Sequence, residues 1–148
     1  MNKIEEKINA LKAFEDSIFD TMKVTVVENE HIIADMNARN QLYEQGIDRN
    51  GDKIADYAPY RPVTIQIKLL KGQPTNRVTL YDEGDFHASF KVIANNISFF
   101  IDATDIKTEK LIRKYGEQIL GLTDENLNEL IWEYMYPDLL TKLKNMVL

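Results

Sequence analysis

The chain has no cysteine, so disulfides and thiolate metal sites are excluded, in keeping with a reducing compartment. Histidine is almost as scarce. His31 and His87 are the only two, fewer imidazoles than hydrolytic metal centres usually use. Long apolar runs are missing. Residues 1–17 mix acids with their apolar residues, so the start reads as neither a signal peptide nor a membrane span. Positive charge is in deficit: 18 Lys and Arg stand against 24 Asp and Glu, a formal net charge of −6. That balance disfavours a general nucleic-acid-coating role. The nucleophile-elbow, phosphate-cradling, zinc-protease and dinucleotide patterns do not occur. Neither does an internal repeat or a low-complexity tract.

What remains is ordinary globular composition: 148 residues, 44% hydrophobic and 28% charged. That is enough for one domain, 1–148, with a real core. The pattern divides it into N-terminal helices (1–45), a loop-rich region (46–76), a sheet core (77–103) and C-terminal helices (104–148). The sheet core organises the rest. Phe86, Ala88, Phe90, Val92 and Ala94 alternate with Asp85, His87, Ser89 and Lys91, which gives a strand one apolar and one wet face. Asn95 and Asn96 supply a hairpin turn, and Ile97, Phe99 and Ile101 alternate again. The expectation is an antiparallel hairpin over about 86–102, with Val78–Leu80 a third strand beyond Gly84. The fold class is α+β, the hairpin packed with N-terminal and C-terminal helices.

Ile4, Ile8, Leu11, Phe14, Ile18 and Met22 recur at helical spacing over about 3–22. This stripe would dock on the chain's own sheet or against a neighbouring subunit. Lys23–Val27, rich in β-branched residues, reads as a short strand or tight link. Asn29 would cap a second helix burying Ile32, Ile33, Met36, Leu42 and Tyr43, with Gly46 just past its end. Residues 62–71 permit either form: Val63, Ile65 and Ile67 alternate, while Pro62 suits a first helical position. A short helix is expected at Thr108–Tyr115, ended or bent at Gly116. Thr123 would cap the last helix, with Leu127, Leu130, Ile131 and Tyr134 inward and a kink or restart at Pro137.

Chemistry is sparse. Asp48, Asn50, Asp52 and Asp56 have the oxygen spacing of a calcium loop. Lys53 stands where such a loop has its glycine, however, and Pro59 where it has its bidentate acid. An acidic Asn-Gly turn needs no metal. Glu83, Asp85 and His87 would share one strand face, near Asp102 on the partner strand, as an acid–base or metal cluster or simply a solvated face. Arg61, Lys68, Lys71 and Arg77, flanked by Tyr57 and Tyr60, read as solvated loop charge or a docking patch for an acidic partner. Trp132, Tyr134 and Tyr136 belong to core or interface.

Leu80 to Phe90, LYDEGDFHASF, resembles the L-x-x-[ST]-G-x-L-x-x-S core of tailed-phage tail-completion and virion-morphogenesis proteins, the head–tail joining or neck group. Glu83 stands where that family prefers Thr or Ser, and Phe86 where it prefers Leu. Upstream, Tyr57-Ala58-Pro59, Thr64, Lys68 and Gly72-Gln73-Pro74 are similar to the family's Y-x-P … T … K stretch. Downstream, Leu120–Asn126 is similar to the segment that opens its terminal helix. The resemblance covers roughly residues 57 to 147. It implies a structural motif of Leu80, Gly84, Phe86, Ser89 and Phe90: Gly84 at the bend, the phenylalanines in the core, Ser89 in a polar contact across the strand. It also implies a ring of identical copies between portal or connector and tail, in the virion after assembly in the host cytoplasm. Partners would be copies of itself and portal, connector or tail proteins, with DNA passing through the lumen without specific binding. It implies no enzymatic activity, cofactor or membrane. The alternative is an adaptor or regulatory protein-binding module of a bacterial or mobile-element system that never enters a particle. A metal-dependent enzyme built on Glu83, Asp85 and His87 is the third reading.

Overall fold

Asn2 starts the first helix. Its side-chain oxygen accepts the Glu5 N–H at 2.8 Å, and the Glu5 carboxylate accepts the Asn2 N–H at 3.1 Å. This capping box satisfies two otherwise orphaned donors. The computed structural model describes residues 2–95 and 98–148. The stripe predicted over 3–22 makes two helices, α1 (Lys3–Asp16) and α2 (Ile18–Glu28). They part at Ser17, whose hydroxyl donates to the Phe14 carbonyl at 3.1 Å. Residues 23–27 are helical, neither strand nor link. Thr25 and Val26 are buried, and the Thr25 hydroxyl bonds back to Thr21 O at 2.9 Å. Packing overrides the mild cost of β-branched residues in a helix.

α3 (Glu30–Asp35) runs on as π-helical turns over Met36–Gln45 and ends at Gly46, in the left-handed region at φ +66°. A Cβ at Gly46 would meet Arg77 Cβ at 2.8 Å, so glycine is required there twice over. Asn29 does not cap α3. Its side-chain amide donates backwards to Thr25 O at 2.8 Å, closing the end of α2. The 46–62 stretch is ordered: Ile47 bridges Lys53, and α4 (Ile54–Tyr57) buries Ile54 completely. Residues 62–70 are helix α5 (Pro62–Leu70), with Pro62 at its start.

The sheet is a two-stranded antiparallel hairpin, β1 (Phe90–Ala94) with β2 (Phe99–Ala103), Val92 opposite Ile101. The chain is α+β, as expected. The strand begins four residues later than the alternation predicts. Asp85–Ala88 is a single helical turn, α6. Phe86 and Phe90 are four apart as well as even-spaced, so they also share a helical face. Their rings meet edge-on at 4.9 Å. Asn96 and Ile97, expected to turn and extend the hairpin, lie outside the described residues. On either side, the Asn95 N–H donates to Ser98 O at 2.9 Å.

Val78–Leu80 is buried but joins no ladder. Side chains take the place of a partner strand. The Thr79 N–H donates to the Tyr60 hydroxyl at 2.9 Å, Thr79 O meets His87 Nε2 at 2.9 Å, and Tyr81 O receives Lys68 Nζ at 2.7 Å.

α7 (Thr108–Tyr115) ends at Gly116, and a 3₁₀ turn (Glu117–Ile119) leads towards α8 (Asp124–Glu129). Thr123 caps α8 by accepting the Asn126 N–H at 3.2 Å. π-helical turns at Leu130–Met135 precede α9 (Tyr136–Val147), so the helix restarts at Pro137, as expected. Of the stripe predicted for this helix, Leu130 is buried, Leu127 and Tyr134 are partly so, and Ile131 faces out. α2 and α3 lie on β1, and α9 lies along α1 and α2. Ile33, Leu42, Ile54, Val78, Ile119 and Leu130 form the centre. α1 has no buried residue. Its companion is α9, and α2 takes the place against the sheet that the α1 stripe was expected to fill.

Candidate functional site

The motif residues converge on one turn. Gly84 has φ +96°, and a Cβ there would meet the Tyr81 ring at 3.0–3.2 Å. Leu80 is buried with φ +55°, a conformation in which bulky residues are strained. Phe86 and Phe90 are buried beneath it. The Ser89 hydroxyl donates to Phe86 O at 2.8 Å and accepts the Thr104 N–H at 3.2 Å, tying the turn to the end of β2. Tyr43, Tyr81 and His87 stack edge-on at 5.3 Å spacings. Burial holds the His87 imidazole below its ordinary 6.5, against the pull of the Thr79 and Leu80 carbonyls.

The expected strand-borne cluster does not form. Glu83 and Asp85 are exposed on the bend and first turn, while His87 points inward to Thr79. Asp102 sits on β2, where its Oδ1 accepts the Ala103 N–H at 2.8 Å. Asp48 is buried, and its carboxylate is consumed locally. Oδ1 accepts the Asn50 and Asp52 N–H groups at 2.8 and 3.1 Å, and Oδ2 the Tyr57 hydroxyl at 3.1 Å. Burial, then Asp48, push the Tyr57 hydroxyl up to about 12. Asn50, Asp52 and Asp56 are exposed. Among the described residues, no group of three or more His, Asp and Glu is placed to hold a metal.

The basic set is structural more than solvated. Lys68 is buried, donating to Tyr81 O at 2.7 Å and to Gln73 Oε1 at 3.2 Å beneath the Tyr60 ring. Lys71 pairs with Asp82, raising the lysine and lowering the carboxyl. Arg77 Nε donates to Tyr43 O at 2.7 Å. Arg61 alone stays on the surface without such a role.

Lys68 points inward because α5 is turned inside out. Val63, Ile67 and Leu70, on one face at i, i+4 and i+7, are 64, 48 and 89% exposed. On α1, which lies along α9, Ile4 is exposed and Ile8 and Leu11 are about half-exposed. Trp132 and Tyr136, 5.6 Å apart, are exposed as well, while Tyr134 is half-buried. Val63, Ile67 and Leu70 thus form an aligned apolar stripe on the outside of α5 rather than a scatter of single residues.

Two polar residues escaped the sequence reading. Asn37 and Gln41 continue the Ile33 face at four-residue spacing and are fully buried. Asn37 donates to Ile119 O at 3.0 Å and accepts the Gly121 N–H at 2.8 Å. Gln41 donates to Gly121 O at 2.9 Å, and accepts the Thr123 N–H at 2.9 Å and Asn126 Nδ2 at 2.8 Å. They latch the irregular 119–123 segment to α3's extension. Polar residues at core positions of a stripe were the available signal. The chain matches no family model, no curated protein and no solved structure.

Proposed function

We propose that this chain is a structural component of a tailed-phage particle, of the neck, head–tail joining or tail-completion type, that works by protein–protein contact. The inverted helix α5 is the observation that carries this reading. It spends a buried lysine on holding the 73–82 loop and turns Val63, Ile67 and Leu70 outward. Such a face is unfavourable in water unless another protein covers it. The α1 stripe offers a second apolar face on a different element. Two different faces suit heterologous, head-to-tail contacts that close into a ring. The turn is compatible with the family resemblance: Gly84 sits at the bend with positive φ, Phe86 and Phe90 are in the core, and Ser89 makes a polar contact to Thr104. With a net charge of −6, an acidic lumen would let DNA pass without sticking.

Mass spectrometry of purified particles tests the reading. The protein is expected among the virion components at a fixed stoichiometry. If it stays with the host-cell lysate instead, the same faces serve a non-virion adaptor and the particle assignment is lost.

A further inference from the structure

The outward face of α5 and one large cavity are both left uncovered by the chain's own packing. Val63, Ile67 and Leu70 lie along the helix at i, i+4 and i+7, and Leu69 beside them is 57% exposed. Lys68 fixes that orientation by holding Tyr81 O and Gln73, so α5 cannot roll its stripe inward. The cavity, of about 790 Å³, lies between α2, β2 and residues 112–135. Its walls are apolar, chiefly Met22, Val26, Leu122, Leu127, Ile131 and Met135. It reaches the surface, since Phe100 and Ile131, which line it, are partly exposed. No residue of α5, or of the 73–82 loop to which it is tied, lines the cavity. The chain therefore cannot seat its own stripe there.

We infer that the α5 stripe of one copy seats in this cavity of the next. The inference rests on the reading of the chain as a component that works by contact between copies, and it names the surface that α5 meets. The mode is a helix in a groove, in which anchors one and two turns apart enter an apolar cleft. The sizes agree. Val63 to Leu70 rises about 10 Å along the helix, and a space of 790 Å³ is about 9 Å on a side. The charges agree as well. From Arg61 to Lys71 the chain carries no acid, and Arg61 at the start of α5 has no ion pair among the described residues. Asp102 and Glu117 line the cavity and are equally free of cations, so Arg61 of one copy can meet the acids of the next. Of the two cations there, Arg49 already donates to Leu120 O at 3.2 Å, and Lys23 suits the carbonyl end of α5.

The other exposed apolar residues fit the cavity less well. α1 brings acids, Glu5 and Glu6, in its first turn, and its Ile8 and Leu11 are half-covered alongside α9. Ile93 and Phe100 stand opposite each other on the hairpin that walls the cavity, and Ile106 stands alone in a turn. None of these offers three aligned anchors without an acid beside them. Stripe and cavity belong to different elements, so the contact is heterologous and repeats head to tail.

Native mass spectrometry of two variants, apart and mixed, tests this. Leu70→Glu spoils the stripe, and Ile131→Arg fills the mouth of the cavity from a partly exposed position. Each alone should assemble at least about tenfold more weakly than the wild type. Mixed one to one, they restore a single sound contact, the stripe of the second in the cavity of the first. A 1:1 dimer should therefore appear, and nothing larger. If Ile131→Arg assembles like the wild type, or the mixture stays as single chains, the cavity is not the seat, while contact between copies through α5 still stands. If the wild type itself is a single chain, that reading falls and the inference with it. Because the chain has no cysteine, a second measurement needs only small substitutions. Ile67→Cys and Ile131→Cys chains, mixed under mild oxidation, should join by a disulfide faster than either does alone. Equal rates, or faster joining of Ile67→Cys to itself, would overturn the pairing. Misfolding of Ile131→Arg thus leaves the test intact.

Discussion

Asn37→Ala should cost far more than the removal of one small side chain. Asn37 is fully buried and serves two backbone groups, Ile119 O at 3.0 Å and Gly121 N at 2.8 Å. Ile119 O would be left buried and unpaired and the part-buried Gly121 N–H would lose its acceptor, at ~1–3 kcal/mol apiece. The expected loss is thus about 4 kcal/mol, a large share of a typical ~5–15 kcal/mol stability. Gln41→Ala strands Gly121 O and the Thr123 N–H and removes the partner of Asn126, so a similar loss is expected. The two are not independent, because both hold residues 119–123. Once one latch is gone the segment reaches water, and the second loss is smaller. The double variant should fall short of the sum by ~1–3 kcal/mol. Urea unfolding followed by far-ultraviolet circular dichroism reads this directly. With a slope of about 2 kcal/mol/M, each single variant lowers the midpoint by roughly 2 M. A shift of either single variant under about 0.3 M, or strict additivity in the pair, would refute the latch.

Other outcomes follow from the motif turn. Phe90→Asp places an unpaired charge in the core and should leave no cooperative transition in a melting curve; a folded, soluble variant would mean that the inward face is wrongly assigned. Gly84→Ala should cost ~1–3 kcal/mol in urea unfolding, from its positive φ and a Cβ that would come within 3.0 Å of the Tyr81 hydroxyl, and a wild-type midpoint would remove that requirement. His87 is held below its ordinary 6.5 by burial, so the unfolded chain binds the extra proton first. Its contribution is complete above 6.5 and is lost as pH falls below that value towards the lowered one. Melting temperature should fall as pH drops below about 6.5, and His87→Gln should flatten that slope.

The parts read well from sequence were those with redundant local signals. Thr108–Tyr115, the Gly46 and Gly116 stops, the Thr123 cap and the restart at Pro137 each had chemistry that admits few alternatives. The hairpin was legible because Val92 and Ile101 face one core across it. Misreadings fell where one pattern fits two periods. Phe86 and Phe90 are both even-spaced and one helical turn apart, so a helical turn passed for a strand. Val78–Leu80 was apolar enough for a strand, yet the Thr79 peptide groups bond to the Tyr60 and His87 side chains, partners on either side of it in sequence. At the candidate site, the direction α5 faces was not legible. Val63, Ile65 and Ile67 fit two structures, and only Lys68's hold on Tyr81 and Gln73 fixes which side is buried.

Native mass spectrometry of the purified chain, alongside Ile67→Glu and Leu70→Glu, tests the account most directly. The outward face of α5 is held to be an interface between copies, so the wild type should appear as a closed multiple of its 17.2 kDa mass. Both variants should fall to single chains with unchanged circular dichroism. A wild type that remains a single chain at high concentration, or an assembly indifferent to both charges, would contradict it.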